Sequence, residues 1–454
     1  MKKALVLGGS IAGLLAARVL ADHADEVTIV ERDDLDCGPA VRRGAPHSNQ
    51  AHSLLGLGRI TIEQLLPGTI RQLVRDGGQL LRGGGSQWFL DGRPKAVIKG
   101  GSIVSVTRPF LEWHIRRQVT DLDRVRVFRG SVSGLTMTGN RVDGALVLPP
   151  DATEPVRLDA DLVVDATGRS SRLSDWLGRH DYPAPPKDRV QVDLGYATCL
   201  FDRPPGGRIG GYFAAHSAYT PSRATRGPSS VTPVEGNRWL VLVSGYGDDR
   251  PSTDPDDFAA RCRADAAVPV QLVPDECVPV SDVAVHRFPA SQRRDFHRLD
   301  RFPAGVIVAG DAVASFNPTY GQGMSSAAMH AAGIADWLGT GPDLAEPAYA
   351  YFQRIRPVLD DAWRTSAIQD LYLPHVDGPR PLGWRLRRGV SETVLAATVT
   401  DAAVHRAFLE VVNMTAGPGL LRRPGVLWRS ARAGLRRRGV PAPEPAPALS
   451  ERGA

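Results

Sequence analysis

The chain has 454 residues, enough for a large core shared by two or three domain-sized units. With 42% hydrophobic and 23% charged residues it has a globular composition, which excludes disordered, collagenous and disulfide-scaffold classes. The formal net charge of +6 rests on arginine, only five lysines being present; it reads as a solvated basic surface, and no nucleic-acid partner is expected.

Four cysteines, Cys37, Cys199, Cys262 and Cys277, lie far apart without CxxC spacing, so neither a disulfide framework nor a metal site is expected. The opening MKKALVLGGSIAGLLAARVL superficially resembles a secretory leader. Its apolar run is broken by two glycines and a serine, and removing it would destroy a strand–turn–helix–strand unit. No uninterrupted apolar segment of ~18 residues occurs, so the expectation is a cytoplasmic protein without a membrane span.

In chain order, KALVL at 3–7 reads as a buried strand. A helix follows, with Ile11, Leu14, Leu15, Val19 and Leu20 on one face, and EVTIVE is the next strand. Together they form a βαβ unit of dinucleotide-binding type. LLGLGRITIEQLLPG and RPFLEWHIRRQV read as helices, the second beginning just after Arg108, and DLVVDATG reads as another apolar strand. Between about 185 and 285 the alternation of VQVDLGYATCLF, GGYFAAHS and NRWLVLVSGYG predicts an antiparallel sheet. AGVIVA at 304–309 is a further strand, and GDAVASFNPTYGQGMSSA leads from it into a small-residue helix. After 345 the periodicity is helical, and the Pro/Ala-rich end reads as a disordered tail.

Gly8-x-Ser10-x-x-Gly13 follows the first strand, with serine where the usual fingerprint has its middle glycine. The first glycine permits the tight turn, the last permits close helix–strand packing, and the helix N-terminus offers N–H groups to a pyrophosphate. Glu31 ends the second strand, where an acid accepts ribose hydroxyls; this favours FAD or NAD over NADP. Asp311, at the mouth of a strand, suits a polyol hydroxyl. Backbone N–H groups along Gly321-Gln322-Gly323-Met324 suit the edge of a flat ring. A ribityl chain followed by an isoalloxazine needs those two features in that order, which selects FAD.

The three stretches GGSIAG…VERD, VVDATGRSSR and GDAVASFNPTYGQGMSSA resemble the fingerprints of FAD-dependent single-component monooxygenases with the aromatic-hydroxylase fold, over about residues 1–375. RRGAP, VVDATGRSS and GDAVASFNPTYGQGMS are similar to polyether-pathway epoxidases of the lasalocid and monensin type. The resemblance implies an α/β fold: a Rossmann-like FAD-binding domain in three parts (1–80, 106–182, 286–345), interleaved with strands at 81–105 and an antiparallel-sheet substrate domain at 183–285. A helical region at 346–435 and a tail at 436–454 complete it. Carried over, Gly8, Ser10, Gly13 and Glu31 bind the ADP half, with Arg43 and Arg108 near the cofactor. Asp165 and Gly168 form the middle motif, spread here as DATG. Asp311 takes the ribityl chain, and Pro318, Gly321, Gly323 and Met324 line the ring. Two roles stand for His52: a cofactor-side residue or a packed helix-start histidine.

The implied reaction uses O2 and NADPH or NADH, or a separate flavin reductase, and passes one oxygen atom from a C4a-hydroperoxyflavin to an apolar small molecule. Tyr196, Tyr212, Phe213 and Trp239 are the aromatic candidates for the substrate pocket, with Phe201, Tyr219 and Tyr246 nearby in the same strands. An alkene needs no activating base, and no base constellation stands out, which favours epoxidation of a polyene. Hydroxylation of an aromatic polyketide and a non-redox FAD-bound cyclase are the alternatives, as a monomer or homodimer. The WxWxIP stretch typical of flavin halogenases is absent.

Overall fold

The computed structural model describes residues 1–82, 85–211, 214–224 and 226–437. Its centre is a five-stranded parallel sheet in the order Val306–Val308, Leu162–Asp165, Lys3–Leu7, Glu26–Glu31, Val125–Arg129. Leu162–Asp165 and residues 4–7 are buried throughout, as expected of parallel strands covered on both faces. Helices Ile11–Leu20 and Gln322–Leu338 pack against each other, which brings the two glycine-containing turns together at one end of the sheet.

The first turn depends on two close approaches. Gly8 has φ +107°, and a Cβ there would lie 2.5 Å from the Ala166 carbonyl oxygen. A Cβ on Gly13 would lie 1.8 Å from the Gly8 carbonyl oxygen, so the helix can begin this near the strand only with glycine. Helix Arg108–Thr120 starts one residue earlier than the sequence suggests, because Thr107 serves as N-cap and Pro109 fits the first turn.

The second sheet has eight strands in the order Ala314–Ser315, Ala284–Arg294, Lys187–Asp202, Arg238–Tyr246, Ser229–Val234, Ala215–Ala218, Gln87–Leu90, Arg93–Pro94. All pairs are antiparallel except Ala215–Ala218 with Gln87–Leu90. The strand Ala284–Arg294 runs through the boundary expected at 285, and Ala314–Ser315 pairs with its end. The chain therefore passes residue 285 inside the eight-stranded sheet and reaches Val306–Val308 of the parallel sheet only after that strand has ended. One face of the eight-stranded sheet presents Cys199, Phe201, Trp239, Val241 and Val243 to Phe258, Cys262, Val270 and Val273. The last four belong to the helical segments Pro255–Arg263, Val268–Gln271 and Val273–Glu276.

Helices Tyr349–Thr365, Trp384–Ala397, Ala402–Val412 and Pro424–Arg437 follow, and the end of the chain beyond Arg437, where a tail is expected, lies outside the described residues. Val394, Ala397 and Val404 form a small core of their own. This group is tied to the sheet edge by Ala96 N–H donating to the Thr398 carbonyl at 2.9 Å. All four cysteines are free thiols. Among the described residues no helix is long and apolar enough to cross a membrane.

The Gly13 contact is with backbone and cannot be relieved by a rotamer change. Gly13→Ala is therefore expected to cost about 3 kcal/mol or more, read as a fall of several degrees in Tm. A Tm unchanged within a degree would contradict the close approach.

Candidate functional site

A buried charge network stands over the first turn. Glu112 sits one helical turn after Arg108 and takes three partners. Ser10 Oγ donates to Oε2 at 2.6 Å, the Arg42 guanidinium grips Oε1 through Nε at 3.1 Å and through Nη2, and Arg108 Nη2 lies 3.7 Å from Oε2. Arg108 Nη2 also donates to Ser10 Oγ at 3.0 Å. Burial would raise the Glu112 pKa, yet Arg108, Arg42 and the Ser10 hydroxyl bring it below the usual carboxylate range. Burial likewise opposes the charge of Arg42, but Glu112, Glu31 and Asp33 hold it above its ordinary value. Glu112 carries no signal in the sequence beyond its i+4 spacing from Arg108.

Of the residues expected around the ADP half, Gly8, Ser10, Gly13, Glu31 and Arg108 meet at this turn, and Arg43 does not. Arg43 is exposed, and its neighbour Arg42 is the arginine that enters, because successive side chains leave the backbone on different sides. Glu31 accepts from Gly9 N at 2.8 Å, Arg32 N at 2.8 Å and Asp33 N at 3.1 Å, so it shapes the turn with most of its accepting capacity. Ser10 is the N-cap of helix Ile11–Leu20 but makes no cap bond with its side chain, which is spent in the network. The first-turn N–H groups of that helix keep their open side, and Arg108 Nε is buried without a partner.

Asp165 is fully buried and turned inward. It accepts from Thr167 N at 3.0 Å and Thr167 Oγ1 at 2.6 Å, and from Ser171 Oγ. Its expected contact with a ligand is corrected to closure of its own loop, since DATGRSS places two hydroxyls within its reach. Gly168 supplies that loop's positive φ of +82° and faces open space.

At the second turn, a Cβ on Gly323 would lie 3.9 Å from Asp311 Oδ1, so Asp311 stands beside the first turn of helix Gln322–Leu338. Burial pushes the Asp311 carboxyl up, while Arg108 and Arg169 pull the other way. Gly321, in the left-handed region at φ +66°, is the N-cap, and it offers no side chain to the helix N–H groups. Pro318, Gly321 and Gln322 reach the cavity described below, whereas the Met324 side chain is corrected to the main core, 7% exposed. Behind the turn, Asp370 accepts from Asn317 Nδ2 at 3.0 Å and Tyr320 OH at 2.9 Å, and its Oδ2 has no partner. With neutral donors only, burial pushes its pKa up to about 7. Nothing in the local sequence singles out Asp370, which lies far along the chain.

Two histidines, His47 and His52, bond Arg108, and a third, His286, lies against His47. His47 lies with its ring 5.6 Å from His52 and 5.6 Å from His286. Burial, then the neighbouring guanidinium, lowers His47 to about 2 and His52 to about 3, so both are neutral. His52 Nδ1 lies 2.8 Å from the Gln50 carbonyl, which can only accept, so its proton is on Nδ1. Nε2 then accepts from Arg108 Nη1 at 3.4 Å, and Nη1 also bonds His47. His52, half-buried in the segment between Asn49 and helix Gly56–Leu65, therefore holds Arg108 from the side that lines the cavity.

That cavity, about 1040 Å³, lies between the free face of the eight-stranded sheet and the C-terminal helices. Period-two alternation decides its wall. Leu194, Tyr196, Thr232, Leu242, Ser244 and Tyr246 face it, while Phe201 and Trp239 face the opposite core. Trp239 is thus corrected: it is 2% exposed, with the Arg203 guanidinium 4.6 Å from its ring. Tyr219 joins the wall, and Tyr212 and Phe213 lie outside the described residues. No cluster of three or more potential metal ligands occurs among the described residues.

No known family profile matches the chain. It is 32% identical over 427 residues to Protein Rv3254 of Mycobacterium tuberculosis (strain ATCC 25618 / H37Rv), covering 89% of this chain and 88% of that protein. Among solved structures, flavin-dependent brominase Bmp2 aligns with a TM-score of 0.65 at 15% identity, over 96% of this chain and 99% of that one. The p-nitrophenol 4-monooxygenase PnpA from Pseudomonas putida DLL-E4 aligns with a TM-score of 0.64 at 16% identity, over 92% and 100%. The chain belongs to the family of Protein Rv3254, and its fold is the aromatic-hydroxylase fold of these flavin-dependent proteins.

Proposed function

We propose that the protein binds FAD and acts as a monooxygenase on a large apolar substrate, most simply by epoxidation of an alkene of polyketide type. The observation that carries this reading is the cavity of about 1040 Å³ that ends on the Pro318–Gln322 segment, at the large end of small-molecule sites. Its rim exposes large apolar side chains, Val97 at 61% and Leu386 at 75%, as entry of an apolar molecule requires.

The residues present fit FAD. The glycine turn, the open N–H groups of helix Ile11–Leu20 and the unpaired Arg108 Nε suit a pyrophosphate, each favouring negative charge. Glu31 stands at the strand end for a ribose and Asp311 for the ribityl hydroxyls, and the uncapped start of helix Gln322–Leu338 suits the ring edge. When bound, FAD supplies the activation of O2, with electrons from NADPH, NADH or a flavin reductase. The chain's part is to bind, orient and keep water out: the sheet face and the helices enclose the substrate, Tyr196 lines the wall, and Tyr246 adjoins Thr319 of the turn where it would react.

Hydroxylation of a phenol is favoured by one observation. Tyr320, on the cavity wall, donates to the buried Asp370, so that a proton taken up by the tyrosine oxygen could pass to the carboxylate. An alkene needs no such relay.

Three measurements follow. The purified protein should retain FAD, bleach anaerobically with NADPH or NADH, and regain colour on admission of O2 while a polyene takes up one labelled oxygen atom. Protein that folds but never holds FAD would end this reading. Asp370→Asn should leave alkene oxidation within a few-fold, but lower kcat on a phenol about a hundredfold or more if the pair acts as base. The folded pKa of Asp370 is about 7, above the ordinary carboxyl value, so the native state holds the extra proton and stability from this group falls as pH rises from about 4 to 7. The Tm of Asp370→Asn relative to wild type should rise over that interval and level off above it; a constant difference would show that Asp370 is ionised throughout.

A further inference from the structure

At the far edge of the eight-stranded sheet the cavity wall carries a cation with no counter-ion. Lys95 follows the edge strand Arg93–Pro94 and is 2% exposed. Its Nζ makes no hydrogen bond and no ion pair among the described residues. It lies 4.1 Å from the Phe408 ring centre and 5.6 Å from that of Trp88. Two aromatic faces compensate part of the lost hydration but accept no hydrogen bond.

The neighbours are also short of acceptors. His405 places Nδ1 2.6 Å from the Ala96 carbonyl, so that nitrogen carries the proton, and its buried Nε2 has no partner. The His216 ring lies tilted against Trp88, the ring centres 4.6 Å apart. Burial lowers Lys95 to about 7, and burial together with Lys95 lowers His405 and His216 to about 4. Among the described residues no carboxylate pairs with Lys95. Among the described residues around the cavity, the charged ones are Lys95 and seven arginines against the one carboxylate of Glu410.

The reacting end is elsewhere in the same cavity. Tyr246, on Arg238–Tyr246, adjoins Thr319 of the second turn. That strand is three steps from Gln87–Leu90, the strand that precedes Lys95. At the usual strand spacing the two ends lie on the order of 15 Å apart.

We infer that Lys95 and His405 form a subsite for the terminal carboxylate of an elongated apolar substrate, whose other end reaches the Pro318–Gln322 turn. A monoanion would supply the acceptor that Lys95 lacks and the charge that lets His405 protonate and donate from Nε2. The arginines of the wall draw such a molecule in, and the apolar surface between the ends receives its chain.

This deepens the monooxygenase reading and rests on the cavity being its substrate site. The test measures binding without turnover: oleate and methyl oleate are titrated into the FAD-loaded protein below their micellar concentrations, by calorimetry. Wild type should bind the acid at least about tenfold more tightly than the ester, the discrimination of one charged hydrogen bond. Lys95→Met should abolish that preference while leaving ester affinity unchanged, and Lys95→Arg should retain it. Equal affinities in wild type, or a preference that survives Lys95→Met, overturn the subsite. If Lys95→Met does not fold, Lys95→Gln takes its place, and the wild-type comparison decides by itself. Carboxylate-selective binding without any oxygen transfer would count against the monooxygenase reading alone; oxygen transfer with equal binding of acid and ester would count against the subsite alone.

Discussion

One buried carboxylate holds the dinucleotide-type end of this molecule together. Glu112 joins Ser10 of the first turn, Arg42 of the loop beyond the second strand and Arg108 of its own helix, three segments far apart in the chain. Removing one partner of such a set leaves an uncompensated buried charge, at a cost of about 3–5 kcal/mol. The network also accounts for the departure from GxGxxG. Glycine at the middle position would give Glu112 and Arg108 nothing to hold, whereas Ser10 donates to one and accepts from the other. The close-approach roles fall on Gly8 and Gly13, which keep the fingerprint where backbone meets backbone.

The eight-stranded sheet solves a second problem by alternation. Its strands carry a packed core on one face and a cavity wall on the other, so each must read as apolar almost throughout, and neither face is a clean polar stripe. Burying Trp239, Phe201 and Phe258 on the packed side stabilises the sheet by about 1.5–3 kcal/mol per side chain. That rigidity lets the opposite face stay open without collapsing. The C-terminal helices then close the space from the far side, anchored to the sheet edge through Ala96, and to helix Gly56–Leu65 by Gly56 N–H donating to Asn413 Oδ1 at 2.9 Å.

Strand–turn–helix units were legible because their signals are local. Lys3–Leu7 and Glu26–Glu31 have the limits that hydrophobic runs suggest, and Gly8 and Gly13 declare a tight turn by composition. What the chain order could not show is which of two neighbouring side chains faces inward. Arg42 and Arg43 are chemically identical, and Trp239 is as aromatic as Tyr246; one residue of register separates wall from core. Glu112, Asp370 and Lys95 are a different case. Each is an ordinary charged residue in a helical or turn-like stretch, and only partners tens to hundreds of residues distant make it unusual. Asp165 shows the converse, since a motif-like acid is consumed by the hydroxyls that follow it.

The two acids at the second turn sit in different surroundings. Asp311 stands among guanidinium groups, Arg108 and Arg169, and these oppose the effect of its burial. Asp370 sees only Asn317 and phenols, and burial takes its pKa to about 7. Burial thus raises both carboxyls, against opposing guanidinium charge at Asp311 and against neutral donors alone at Asp370. The fold alone does not choose among oxygen transfer to an alkene, oxygen transfer to a phenol, and halogenation. The choice falls to the cavity, where a proton-holding pair at one end and an unpaired lysine at the other restrict what can lie between them.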